Sequence, residues 1–376
     1  MTEPTHNDLP QSLNADSTPE DTSRRRFALT PRRAFGLVAI VLALTLVALL
    51  VYLLQFTGTP DRLSDLPAIQ GVQPIWQVYG PGEGEQPLFD TPMGIAMGEN
   101  DRIYVTDAGN NRVCVFDSRG RFLTTFGTFG VAKPASGVQA TYVAGSLNYP
   151  VGIDTDGDGN VYVASFRNDS IEVFDAEGTP LRRFPDPTQP VGKGSSGYSG
   201  QGIAVTDLAV SGDRVYATDT YQVFVFSLEG EYISQWGRPG VEPESLDHPN
   251  GLAVSEDGQA IYVSDSNHSR VTAFTPEGEV LWQVGEVSAG IEDKVERELE
   301  LPRGLEVAAD GSVLVADAFS FQVVRISPDG TVVSRYGERG VKPGQMNFTN
   351  DVEVFRSFVV LADKENGRVQ VVRLVN

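Results

Sequence analysis

Five carboxylates recur at two positions of a repeated phrase. When the segments beginning near Pro92, Pro150, Thr206, Pro249, Pro302 and Asn350 are aligned, one position reads Gly94, Gly152, Asp207, Gly251, Gly304 and Asp351. Two residues later it reads Ala96, Asp154, Ala209, Ala253, Glu306 and Glu353. One residue earlier it reads Met93, Val151, Thr206, Asn250, Arg303 and Asn350. If the repeats close into a ring, these levels meet at its axis. Facing acids there cannot all stay ionised without a cation or bound protons. Oxygen-only ligands suit Ca²⁺ or Mg²⁺ better than zinc. Asp154, Glu306 and Glu353 are thus candidate metal ligands. Asn250, Arg303, Asn350, Asp207 and Asp351 are a candidate ligand-binding set at the channel mouth. Two alternatives stay open: Arg303 supplies the balancing charge itself, or the axis is an acidic, water-filled tunnel.

The remaining catalytic inventory is thin. The histidines are His6, His248 and His268, too few and too scattered for a histidine-based zinc site. No G-x-S-x-G elbow or Cys–His pair is present. His248 and His268 read as exposed loop residues of the fourth repeat. Asp154-Thr-Asp-Gly-Asp-Gly159 has the opening of a calcium loop, but its twelfth position is Ser165 rather than a bidentate Glu. In register it is a turn between two strands, like Ser255-Glu-Asp-Gly258. Asp107–Arg112, Asp265–Arg270 and Asp363–Arg368 share one spacing and read as ion pairs fixing a turn.

Each repeat holds four short strands. In the first they are GIAM, RIYVTD, RVCVFD and FLTTFG, separated by turn signals. The sixth, from Asn350, stops at Asn376 without a fourth strand. Pro74–Gly80, PIWQVYG, precedes the first repeat and matches the fourth-strand pattern of VLWQVG. Six repeats, one lacking its last strand, plus one orphan last strand make a closed ring. The expected fold is an all-β six-bladed β-propeller over residues 74–376, closed by an N-terminal strand. Short turns share one face. The other carries the long connections Thr128–Tyr149, Pro185–Val205, Arg238–His248 and Glu286–Leu301, the last with a charge pattern suited to a short helix. Long connections on a rigid scaffold are where recognition residues sit.

A different organisation precedes the ring. Residues 1–33 are polar and too poor in apolar side chains to offset their ordering entropy. Ala34–Phe56 carries no charge and, at about 1.5 Å per residue, reaches about 34 Å, enough for a bilayer core of ~30 Å. Arg24, Arg25, Arg26, Arg32 and Arg33 lie on its N-terminal side. The expectation is a single-pass anchor with a cytoplasmic N-terminus, a stalk over 57–73 and an extracytoplasmic propeller. A cleaved signal peptide or a twin-arginine signal at Ser23–Phe27 is the alternative, and also exports the propeller. The formal charge of −21 falls wholly on residues 57–376, because 1–56 hold five acidic and five basic side chains. Such a body repels nucleic acid, so no nucleic-acid partner is expected. Cys114, the only cysteine, reads as core packing.

The P-x-G-I/L opening, Y-V-x-D strand, N-x-R-V/I strand and closing aromatic-Gly resemble the NHL-repeat family over roughly 74–376. That resemblance implies a six-bladed propeller and a binding or interaction module for a protein, peptide or glycan on the long-connection face. PNGLAVSEDGQAIYVSDS at 249–266 also resembles the senescence-marker-protein/gluconolactonase family of metal-dependent lactonases. There it implies a metal-ligand role for Asn250. Arg303 stands where that family has an acid, and Pro92-Met93-Gly94 where it opens with one. The alternative function is a metal-dependent hydrolase or lactonase using the channel acids, with Ca²⁺ or Mg²⁺ as cofactor.

Overall fold

The second and third strands of each repeat are buried at nearly every position, with apolar runs such as Ile103–Val105 and Val113–Phe116, because both faces of the sheet meet a neighbouring sheet. The computed structural model describes residues 70–82, 88–132, 141–192, 202–285 and 298–375. The chain divides into two compact units, Met1–Thr57 and Gly58–Asn376. The first lies outside the described residues, as do the expected tail, the membrane helix over 34–56, most of the stalk, and residues 286–297 of the charged connection. No helix among the described residues is long and apolar enough to cross a membrane.

Six four-stranded antiparallel sheets form the ring. Their innermost strands are Pro92–Gly98, Pro150–Thr155, Asp207–Ser211, Pro249–Val254, Pro302–Val307 and Thr349–Phe355, in blades one to six. Each packs on the next, and the sixth packs on the first. Blade six comprises Thr349–Phe355, Phe358–Asp363 and Arg368–Leu374, and its outer strand is Val72–Val78 from the far end of the chain. Val72 pairs with Leu374 and Val78 with Val369. The sequence-based closure therefore holds, displaced by two residues.

An apolar cluster fills each blade junction. Trp76, Phe89, Ile95 and Phe116 join Val360 and Val371 between blades six and one. The closing aromatic of one blade packs on the next: Phe126 lies 4.8 Å from Phe174, and Trp236 lies 4.6 Å from Phe274. Those aromatics also explain the Glu-Gly turns. Gly178, Gly230 and Gly278 have φ of 87°, 90° and 90°, and a Cβ on any of them would collide with Phe126, Phe184 or Trp236 of the preceding blade.

The Asp–Arg pairs form as expected and do more than fix a turn. Nε of Arg112, Arg270 and Arg368 donates to Asp107, Asp265 and Asp363 at 2.8, 2.9 and 2.8 Å, all buried. Arg270 also donates to the carbonyls of Glu242 and Ser245, and Arg368 to those of Val341, Lys342 and Gln345. Each Asp in turn accepts a backbone N–H from the chain entering its blade: Asp90, Asp247 and Asn347, all at 2.7 Å. The pair thus staples the incoming connection to the blade. His268 corrects the sequence reading. It is buried, with Nδ1 2.7 Å from Asp265, because the 3-10 turn Ser266–His268 folds back onto that carboxylate. His248 is exposed, as expected. In Asp154–Gly159, Asp156 accepts the N–H groups of Asp158 and Asn160 at 3.0 and 2.8 Å, which is turn chemistry.

Two outcomes follow from this architecture. Trp76→Ala leaves a large void at the closing junction and should cost about 3–5 kcal/mol in denaturant unfolding of the full chain, whereas exposed Tyr79→Ala should cost under about 1 kcal/mol. Arg368→Met strands the buried Asp363 carboxylate and should cost a similar ~3–5 kcal/mol.

Candidate functional site

An innermost strand has one sheet neighbour, so its other edge presents unpaired backbone groups to the axis. The axial acids satisfy them. Asp154 of blade two accepts its own neighbour Thr155 N–H at 2.7 Å and Val210 N–H of blade three at 2.7 Å. Asp207 of blade three accepts Leu252 N–H of blade four at 2.9 Å. Asp351 of blade six accepts Val352 N–H and, across the closure, Ile95 N–H of blade one, both at 2.8 Å. Glu353 accepts only Val354 N–H, at 3.0 Å, among these bonds. Approach between inner strands is tight elsewhere too: a Cβ on Gly94 would strike the Val151 carbonyl of blade two, and one on Gly251 the Arg303 carbonyl of blade five.

Asp154, Asp207, Glu306, Asp351 and Glu353 line one axial cavity of about 280 Å³. Ser211, Ser255 and Glu256 also line it, which places its opening at the short turns between strands one and two. The carboxylates are half-exposed to the cavity, yet protein surrounds them and burial dominates their chemistry. Burial, then repulsion from Asp154, pushes Glu306 up to about 8. Burial raises Asp351 to about 7 and Asp154 to about 6, against the pull of their backbone donors. Asp207 and Glu353 are raised well above the usual carboxylate range, first by burial and then by Asp351 and Glu306 respectively.

The mouth trio is separate. Asn250, Arg303 and Asn350 do not line that cavity, so Asp207 and Asp351, grouped with them from sequence, belong with the acids instead. Arg303 donates Nε and Nη2 to Asn350 Oδ1 at 3.1 and 2.8 Å, and Asn350 donates to the Met93 carbonyl at 3.1 Å. This links blades five, six and one. Asn250 donates to the His248 carbonyl and Ser266 Oγ at 2.7 and 3.0 Å. Burial lowers Arg303 to about 10, opposed by the attraction of Asp207, Tyr149 and Asp351.

Sequence reasoning missed the rim. Thr91, Tyr149, His248 and Phe348 each directly precede an inner strand and have φ of 63°, 57°, 52° and 56°. That left-handed conformation costs about 1–2 kcal/mol in a non-glycine residue, and three of the four carry rings. Phe319, 56% exposed, packs on Phe348 at 5.6 Å; Tyr221 packs on His248 at 6.0 Å; Arg167 lies 4.4 Å over Tyr149. The available signal was the residue type just before each inner strand.

The metal shell implied by the lactonase resemblance does not assemble. Arg303 occupies an acid position beside Asn250's level, and no group of three or more His, Cys, Asp or Glu among the described residues is arranged to hold a metal ion.

Comparison with known proteins agrees with this geometry. Residues 89–116 match the NHL repeat, and residues 211–341 match the SMP-30/gluconolactonase/LRE-like region. Protein brain tumor of Drosophila melanogaster is 27% identical over 164 residues, 43% of this chain. The match spans only 14% of that protein's length. A protein of unknown function from Bacteroides thetaiotaomicron superposes with a TM-score of 0.56 at 20% identity, covering 78% of this chain and 72% of its own. A gluconolactonase from Xanthomonas campestris gives 0.51 at 17% identity, covering 76% and 86%. These solved structures share the fold. The chain is a six-bladed propeller with local similarity to the NHL repeat and to the SMP-30/gluconolactonase/LRE-like region.

The raised carboxylates set a pH dependence. Asp154, Asp351 and Glu306 bind protons more tightly folded, at about 6, 7 and 8, than in an unfolded chain, where carboxylates titrate near ~4. Between those values the folded state carries more protons, so stability falls as pH rises. In chelator-treated buffer, Tm should drop from pH 5 to pH 8, and the Glu306→Gln/Glu353→Gln variant should flatten that slope. A Tm that climbs over this range contradicts the assignment.

Proposed function

We propose that the chain is a membrane-anchored, extracytoplasmic propeller that binds a protein, peptide or glycan on its long-connection face. The uncharged Ala34–Phe56 stretch and the arginines before it support the anchor and its orientation. One observation carries the binding reading: the mouth on that face offers a cation, Arg303, beside Phe348 and the exposed Phe319 packed on it, while three of the five axial acids are committed to tying blades together. The acidic body keeps nucleic acid outside this reading.

A second reading, a metal-dependent hydrolase or lactonase, is favoured by the match over 211–341 and by the acid-lined cavity. Asp154, Glu306 and Glu353 line that cavity as the candidate ligands for Ca²⁺ or Mg²⁺, although they are not arranged as a three-acid site. Glu306 and Glu353 are the less committed of the acids.

Two measurements decide. Calcium and magnesium titrated calorimetrically into the full chain in detergent should give no binding heat at millimolar concentration; heat that disappears in Glu306→Gln/Glu353→Gln would move the function to the hydrolase. For topology, Glu277→Cys places a thiol on the propeller surface, while native Cys114 is buried. A membrane-impermeant maleimide should label it in cells whose cytoplasmic membrane is intact, and labelling only after lysis would reverse the orientation.

A further inference from the structure

Arg303, half-buried where Arg112, Arg270 and Arg368 are buried, also differs from them in what it meets. Arg112, Arg270 and Arg368 each face an aspartate at 2.8–2.9 Å. Arg303 spends Nε and Nη2 on one neutral amide oxygen, and no carboxylate among the described residues forms an ion pair with it. Asp207 and Asp351 attract it from below without reaching it. Its Nη1 edge has no acceptor among the described residues. A half-buried guanidinium with a spare edge is shaped for a carboxylate.

The surroundings narrow the ligand. Phe348 lies 5.9 Å from the guanidinium carbon, with Phe319 packed on it and well exposed. Tyr149, from the far side of the ring, is near enough to act on Arg303's charge. Tyr149 and Phe348 are held in a backbone conformation that glycine or asparagine would adopt more easily. Each of these two rings carries a further cation: Arg167 lies 4.4 Å over Tyr149 and Lys364 4.5 Å over Phe348, while Phe319 keeps exposed apolar surface. Asn250 gives its amide N–H groups to the His248 carbonyl and Ser266 Oγ, and Asn350 gives one to the Met93 carbonyl, so few side-chain donors are left for the hydroxyls of a sugar. The Arg303–Asn350–Met93 bonds span blades five, six and one at the opposite end of the inner strands from the acid cavity's opening, so a carboxylate entering end-on meets the cation before the acids.

We propose that Arg303 receives the free C-terminal carboxylate of a peptide whose last side chain is apolar and lies against Phe348 and Phe319. This rests on the binding reading above and names its ligand.

The test uses the full chain in detergent and fluorescence anisotropy of a fluorescein-labelled hexapeptide ending in phenylalanine and leucine, as the free acid and as the C-terminal amide. The acid should bind at least tenfold more tightly than the amide. Arg303→Gln should weaken the acid to the level of the amide and leave the amide unchanged. Arg303→Lys, which keeps the charge, should retain part of the difference. Phe319→Ala should weaken both peptides alike. Equal binding of acid and amide by the native chain would overturn the carboxylate receptor while leaving the binding module standing. Binding of neither would overturn the peptide ligand altogether. Displacement of the peptide by glucuronate at a similar concentration would overturn the choice of peptide in favour of an acidic sugar.

Discussion

Each blade ends at the axis in a strand with a free edge, and the ring depends on how the N–H groups of that edge are satisfied. Asp154, Asp207 and Asp351 do it by reaching across a blade junction. Hydroxyls do it for carbonyls: Thr106 donates to Val151, Thr206 to Pro249 and Ser266 to Pro302, each in the next blade. Asp207 and Asp351 occupy opposite blades, three and six, and make the same bond. The negative charge at the centre is therefore a by-product of closing the ring with carboxylates. An unsatisfied buried N–H costs about 1–3 kcal/mol, whereas crowding acids is relieved by retaining protons.

Two levels of the axis thus have opposite character. The lower one is a cavity of acids that hold protons near neutrality, opening on the short turns. The upper one is a guanidinium hung between two blades by an amide, ringed by aromatic side chains on costly backbone. The attraction between Arg303 and the two aspartates below it couples the levels. The upper level offers a cation with a spare edge, the lower one acids of which Glu306 and Glu353 are the less committed.

Much of this was readable before any coordinates. The ring, its count of blades and its closing strand follow from a phrase written six times and an orphan PIWQVYG. The Asp–Arg staples follow from constant spacing, and the axial convergence of the acids from register. What was not readable depends on chain far away. Asp351 meets Ile95 across 256 positions, so nothing near either residue announces the bond. His268 looked like loop because its neighbours are polar; the turn that buries it is set by Asp265. Asp207 and Asp351 were grouped with Arg303 because one residue separates them in register, and in a strand one residue reverses the direction of a side chain.

Blade six joins the first strand of the ring to the last. Val72–Val78 leaves the ribosome near the start of the propeller, and its partner Arg368–Leu374 leaves at the end. At about 5–20 residues per second the wait is about 15–60 s. Through that interval Trp76 and the strand's free edge have no permanent partner, and blade one has no neighbour on that side. The closure that makes the finished ring stable also makes the growing chain the most exposed form of this protein, and the one most dependent on help.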